Sequence, residues 1–190
     1  MAMQLPLNGL EDPSPSQPGR VLAYSMGFSN RSWDDFLEIL RSFRIERIVD
    51  IRTLPGSRRT PQYNKEHLEG SLPGLGVEYI HLKTLGGLRR ANPADLTNAG
   101  WRNASFRGYA DYMQGEEFWT ALSDLIRLSG EKRTVFACTE AGFWRCHRSL
   151  VSDALLVRGY RVEHIFHAKK SEPHRLTPFA RIEGLRITYP

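Results

Sequence analysis

Cysteine is scarce: the 190-residue chain has two, Cys138 and Cys146. With so few, no disulfide framework is available, and in a cytosolic setting both thiols are expected to stay reduced. No Cys-x-x-Cys or His-x-x-x-His pair occurs, so the linear spacing calls for no metal and no cofactor. No apolar run approaches the roughly 18–20 residues of a membrane span. The first 20 residues, polar and Pro-rich, lack the apolar core of a signal peptide. They read as a flexible leader, and the expected location is cytoplasmic. Walker, Gly-x-Gly-x-x-Gly and Gly-x-Ser-x-Gly signatures are missing too. That argues against P-loop hydrolysis, dinucleotide binding and serine-hydrolase chemistry. Lysine is rare, with five against 21 arginines, in a chain of net charge +5. Guanidinium groups match planar or tetrahedral oxyanions through paired N–H donors. The bias fits a phosphate, a carboxylate or a nucleic acid as partner.

What is present is a rhythm of short apolar strands and amphipathic helices. Strands are expected at 21–26, 47–52, 77–82, 133–139 and 161–167, with "LRITYP" as a further edge strand. Helices are expected over 32–43 with Ser32 as N-cap, over 65–72, over 116–130 closed by Gly130, and over 146–159. Alternation of this kind predicts an α/β fold. The expected form is a single domain over 21–190, with a mostly parallel twisted sheet of about five strands and helices on both faces. Residues 83–115 interrupt the rhythm as a long, aromatic-rich loop insertion. It leaves the third strand at its carboxyl end and is expected to wall or cover a site there.

In such sheets ligands bind beyond the carboxyl ends of the strands. That rule gathers Gly27, Ser29, Asn30, Asp50, Arg52, His81, Cys138, Glu140, His164 and His167 at one edge. Cys146, His147 and Arg148 follow closely, at the predicted start of a helix, where free N–H groups favour anions. A thiol there, beside Arg145 and Arg148, has its thiolate favoured. On a helix, adjacent side chains diverge by about 100°, so Cys146 and His147 are not expected to face each other. A partner for Cys146 is sought instead in His81, His164 or Glu140. Packing is the competing reading of both cysteines. Glu140 is either an ion-pair partner for Arg52 or Arg148, or a general base. Arg52, Arg58 and Arg59 in "DIRTLPGSRR", with Arg89 and Arg107, are candidate anion ligands, while Asp50 could serve only to hold Arg52.

The stretches "IVDIRTLPGSRRTPQYN", "GVEYIHLKTLGG", "FRGYADYM", "CTEAGFWRCHRSLVSDAL" and "VEHIFHAKKSEPHRLT" resemble the bacterial and archaeal family catalogued as domain of unknown function 488. The resemblance implies a compact α/β domain whose site uses Asp-x-Arg, Leu-Gly-Gly, Cys-x-Glu and Cys-His-Arg elements. It supplies no reaction. The family usually has Gly-His-Ser after the first strand, where this chain has Gly27-Phe28-Ser29. If that histidine is catalytic elsewhere in the family, its replacement implies a lost or altered activity here.

Two functions follow as expectations. One is an enzyme acting on a phosphate-bearing ligand, a nucleotide or nucleic-acid component. Its acid/base would be Glu140 and its nucleophile Cys146, with His81 as a further catalytic candidate. The other is a non-catalytic nucleic-acid-binding module using loops 52–59 and 83–107, with Trp101, Phe106 and Tyr109 as stacking surfaces. The expected partner is a phosphate-bearing small molecule or nucleic acid, with no membrane. The sequence leaves the oligomeric state open.

Overall fold

The computed structural model describes residues 21–190. The leader expected over 1–20 lies outside the described residues. The elements run β1 (Val21–Gly27), α1 (Trp33–Ser42), β2 (Arg47–Asp50), α2 (Lys65–Ser71) and β3 (Glu78–His81). Then come α3 (Ala104–Tyr112), α4 (Glu116–Glu131), β4 (Thr134–Cys138), α5 (Arg148–Val157) and β5 (Arg161–His167). The chain closes with β6 (Lys170–Pro173), β7 (Arg181–Glu183) and β8 (Arg186–Thr188).

The main sheet has the order β3-β2-β4-β1-β5-β6. Its first five strands are parallel and β6 is antiparallel. The fold is thus the expected α/β domain with a mostly parallel sheet. Two details differ. β6 is too polar to announce itself as a strand. "LRITYP" forms a separate β7–β8 hairpin rather than an edge of the main sheet.

Strand alternation builds two cores, one per face. Met26, Ile48, Val135 and Ala137 pack with Phe36, Ile39 and Leu68 of α1 and α2. Val49, Phe136 and Cys138 pack with residues of α3, α4 and α5, including Tyr109, Leu122 and Leu150. Successive side chains on a strand point to opposite faces, so a continuous apolar run such as Val135-Phe136-Ala137 feeds both layers. The Ser32 cap holds, since its Oγ accepts from the Asp35 N–H at 3.1 Å. Gly130 is not a terminus, because α4 runs on to Glu131. No helix among the described residues is long and apolar enough to cross a membrane.

Residues 83–115 are not one loop. A 3-10 turn at Lys83–Leu85 precedes α3, which is capped by the Asn103 side chain accepting from the Ser105 N–H at 2.9 Å. Trp101 packs on Phe106, Phe179 and Tyr189, with ring centroids 4.7–5.5 Å apart.

The topology also positions a crevice. β4 lies between β1 and β2. Those two strands lead into helices on one face, while β4 leads into α5 on the other. Connections leaving adjacent parallel strands toward opposite faces open a cleft at their carboxyl ends. Here that cleft lies beyond Cys138.

On the α5 side of β5 runs a buried polar chain. The Asp153 carboxylate meets His174 Nε2 at 2.8 Å, and His174 Nδ1 meets His164 Nε2 at 2.9 Å. His164 Nδ1 is buried without a hydrogen-bond partner among the described residues. Phe143 stacks on the His164 ring at 3.6 Å. Burial first, then the neighbouring His174 and Arg148, push His164 down to about 2. The unfolded chain takes up this proton below its ordinary value of 6.5 and the folded one refuses it. Stability contributed by the neutral ring is therefore complete above about pH 6.5 and falls by ~1.4 kcal/mol per pH unit on acidification. Urea unfolding at about pH 7.5 and pH 5.5 should show a loss about 1 kcal/mol larger in the wild type than in His164→Asn. An equal loss in both would assign the acid sensitivity to other groups.

Candidate functional site

Beyond Cys138 lies a pocket of about 370 Å³. Its floor is Cys138, Cys146 and His147. Thr139 and Glu140 come from the loop after β4, Arg145 from the 3-10 turn before α5, and Arg52, Thr53 and Leu54 from the loop after β2. Gly87, Leu88, Ser105 and Phe106 of the 83–115 segment close the remaining side, as a wall.

The centre of the site differs from the helical expectation, and the reason is two residues of helix. α5 begins at Arg148, not at Cys146. Cys146 has extended backbone (φ −139°, ψ 146°) and His147 is the N-cap. The 100° divergence of helical neighbours does not apply. The side chains converge, with Cys146 Sγ 3.7 Å from His147 Nδ1.

His147 Nε2 lies 3.1 Å from the Ile51 carbonyl oxygen. A carbonyl only accepts, so Nε2 carries a proton and Nδ1 is the ring nitrogen that faces the Cys146 sulfur. Tyr109 lies 4.9 Å from the imidazole and donates its hydroxyl to the Leu85 carbonyl at 2.9 Å. The Leu85-Gly86-Gly87 turn presses on the same ring: a Cβ on Gly87 would collide with His147 Nδ1. Glycine at 87 is what lets the turn close over the imidazole.

Cys138 is the partner that sequence spacing did not reveal. Its sulfur lies within 4.8 Å of the Cys146 sulfur. The Cys138 thiol first, then His147 and Arg148, hold Cys146 well below the ordinary thiol range against the opposing effect of burial. The same neighbour, with burial, pushes Cys138 well above it. The two thiols are thus driven apart, Cys146 toward its thiolate and Cys138 toward its thiol. Both side chains are buried, at 4% and 8% exposure, and their access is through the pocket. Cys138 Sγ, Cys146 Sγ and a ring nitrogen of His147 lie within 4.8 Å of one another. These three donors could hold a soft cation, which linear spacing had given no reason to expect.

The other expected residues divide in two. Arg52 and Glu140 join Cys146 and His147 at the pocket. His81 does not line it: its Nε2 sits 2.8 Å from the Arg52 carbonyl. Asp50 is fully buried and holds Arg52 through Nε at 2.9 and 3.0 Å, while Tyr79 donates to it at 2.7 Å. Arg52 also donates to the Tyr63 carbonyl at 2.7 Å and lies over the Phe28 ring at 4.4 Å.

Arg148, 1% exposed, spends its Nη groups on Ser25 Oγ and on the Glu140 and Ala141 carbonyls. It shapes the loop after β4 rather than meeting the pocket. Arg89 donates to the Thr84 and Gly86 carbonyls, and Arg107 to those of Asn92 and Asp95. Arg58 and Arg59 are exposed and outside the pocket.

The Gly27–Asn30 turn is not an open anion nest. The Phe28 and Ser29 N–H groups donate to the Cys138 and Thr139 carbonyls at 2.8 and 2.7 Å. A Cβ on Gly27 would collide with the Glu140 backbone, and Asn30 points into solvent. Phe28 is buried and stacks on Tyr63 at 5.0 Å. The residue standing where the family usually has histidine is a core residue here.

The fold is an α/β domain with a mostly parallel sheet, and a pocket holding two cysteines and a histidine lies at its carboxyl edge. The sequence profile described as Domain of unknown function DUF488 matches residues 32–155, about two thirds of the chain. The chain belongs to that family. The matched stretch includes Arg52, Gly87, Cys138, Glu140, Cys146 and His147. No curated protein and no solved structure matches the chain.

Proposed function

We propose that this protein is an enzyme that works through Cys146 on a small phosphate-bearing ligand, a nucleotide or nucleic-acid component, at the carboxyl edge of the sheet. The observation that carries the proposal is the pocket floor, where the Cys146 sulfur, held below the ordinary thiol range, faces an imidazole nitrogen at 3.7 Å and a second thiol within 4.8 Å. His147 Nδ1 takes the Cys146 proton, and its Nε2 stays locked on the Ile51 carbonyl. That is the arrangement of a nucleophile, its base and the group that orients the base. Glu140, exposed at the pocket mouth, is placed to move a proton to or from the ligand.

The ligand class follows from the walls. Arg145 supplies positive charge, and Leu54, Leu88 and Phe106 supply apolar surface. An anionic group attached to a flat or apolar moiety fits such a lining. The non-catalytic nucleic-acid-binding reading draws less support. Trp101 is engaged by three other rings and Tyr109 is buried, so neither offers a free stacking face.

The test is protection. A panel of nucleoside monophosphates, with inorganic phosphate as control, should slow alkylation of Cys146 and raise the melting temperature through binding to the folded state. Phosphate alone should act more weakly. If no member of the panel changes either reading, the ligand class is wrong.

A further inference from the structure

We propose that Cys138 and Cys146 form a reversible intramolecular disulfide when the pocket admits a hydroperoxide, making the site a redox switch as well as a nucleophilic centre. The inference shares with the functional reading only the Cys146 sulfur and needs no substrate of the enzyme.

Three observations carry it. Both sulfurs border the same pocket, and they lie within 4.8 Å of each other. Both cysteines are free. Cys146 sits in extended backbone between the 3-10 turn and α5, outside any hydrogen-bonded helix, so its side chain can rotate toward Cys138 without unwinding an element. A bond of about 2.05 Å needs the two sulfurs to approach by a side-chain rotation and a small backbone shift. The ring closed between positions 138 and 146 spans seven residues, Thr139–Arg145, five of them exposed.

The chemistry balances with the hydroperoxide as oxidant. The Cys146 thiolate attacks one peroxide oxygen, the O–O bond breaks, and hydroxide or an alkoxide leaves. Cys146 becomes a sulfenic acid. The Cys138 sulfur then attacks the Cys146 sulfur. Its proton leaves with the sulfenic hydroxyl as water, and the S–S bond forms. Two electrons have passed from the two thiols to the peroxide. An external dithiol reverses the step by thiol–disulfide exchange. The neighbour of Cys146 thereby decides its fate. With Cys138 present, oxidation stops at a recoverable disulfide. Without it, the sulfenic acid stays exposed to further, irreversible oxidation. The disulfide also removes the nucleophile, so oxidation and inactivation coincide.

The experiment uses the full reduced chain and hydrogen peroxide, followed by alkylation and a tryptic map. Cleavage after Arg133, Arg145 and Arg148 puts Cys138 in peptide 134–145 and Cys146 in peptide 146–148. The expected product is these two peptides linked, with an intact mass lower by two hydrogens. Dithiothreitol should restore both alkylation sites. In Cys138→Ser, peroxide should instead give a sulfenic acid at Cys146 that a dimedone probe traps, and prolonged exposure should leave it unrecoverable. If Cys138→Ser does not fold, the wild-type map alone decides. A wild-type protein that gives the dimedone adduct or a sulfinic acid, with Cys138 free and no linked peptides, overturns the switch while leaving a nucleophilic Cys146 in place. A Cys146 inert to both peroxide and alkylating agent would remove the switch and the enzyme reading together.

Discussion

Asp153→Ala is expected to lower the unfolding free energy by about 3–5 kcal/mol, the cost of breaking a buried, hydrogen-bonded charge network by removing one partner. Asp153 lies at the middle of α5 and is fully buried. Its carboxylate accepts from His174 Nε2 at 2.8 Å, from the Thr177 N–H at 3.0 Å, from Thr177 Oγ1 at 2.7 Å and from the Tyr189 hydroxyl at 2.8 Å. Those donors lie in the segment after β6 and at the end of the chain. One carboxylate therefore ties the C-terminal 17 residues, 174–190, to the sheet layer. Alanine leaves the His174 and Tyr189 donors buried and unpaired and the two Thr177 donors half-buried, and each is a separate penalty. Typical domains are stable by only about 5–15 kcal/mol, so the loss is a large share of the total. Asp153→Asn should cost less, because its amide oxygen still accepts two of the four bonds. Urea unfolding of the three proteins checks the order. A drop below about 1 kcal/mol in Asp153→Ala would mean that water replaces the network.

None of that network was legible in the sequence. Asp153, His174, Thr177 and Tyr189 come together across 36 positions, with no spacing to mark them. What was legible depended on local pattern. The five parallel strands are short apolar runs because both faces of each are covered, and their alternation with helices announced the fold. β6 was not legible, since an antiparallel edge strand reading "KSEP" has no apolar face to declare. α3 was hidden by its weak apolar periodicity and its internal Gly108.

The strand-end rule gathered Arg52, Cys138 and Glu140, which line the pocket, because sheet topology fixes where strands end, but also Asp50, His81 and His164, which do not line it. It failed for arginine. A guanidinium that satisfies carbonyl groups, as Arg89, Arg107 and Arg148 do, looks in sequence like one that awaits an anion. It failed again at α5, where a helix start two residues late turned a diverging pair into a converging one.

Cys146 should react with iodoacetamide at least about tenfold faster than Cys138 near neutral pH, and its rate should be nearly flat between about pH 6 and pH 8. An ordinary thiol, with a pKa near 8.5, is only about 3% ionised at pH 7, and its rate climbs about tenfold per pH unit below that value. Cys146 escapes that climb because the Cys138 thiol, His147 and Arg148 all favour its thiolate. Ionisation alone would multiply the rate by up to about thirtyfold. The weaker intrinsic nucleophilicity of a low-pKa thiolate returns part of that gain, which leaves the flat pH profile as the firmer signature.

Cys138 is pushed the other way by the neighbouring Cys146 and by burial, and serves as the internal control. His147→Ala removes the facing nitrogen at 3.7 Å and should restore a rising pH dependence. Gly87→Ala, whose new methyl group collides with the same imidazole, should shift the profile in the same direction without touching either sulfur. A peptide-mapped time course in the native state reads the wild type and the two variants. Faster labelling at Cys138, or labelling of neither cysteine until the chain unfolds, would leave Cys146 as a packed thiol and Glu140 as the remaining catalytic candidate at the pocket.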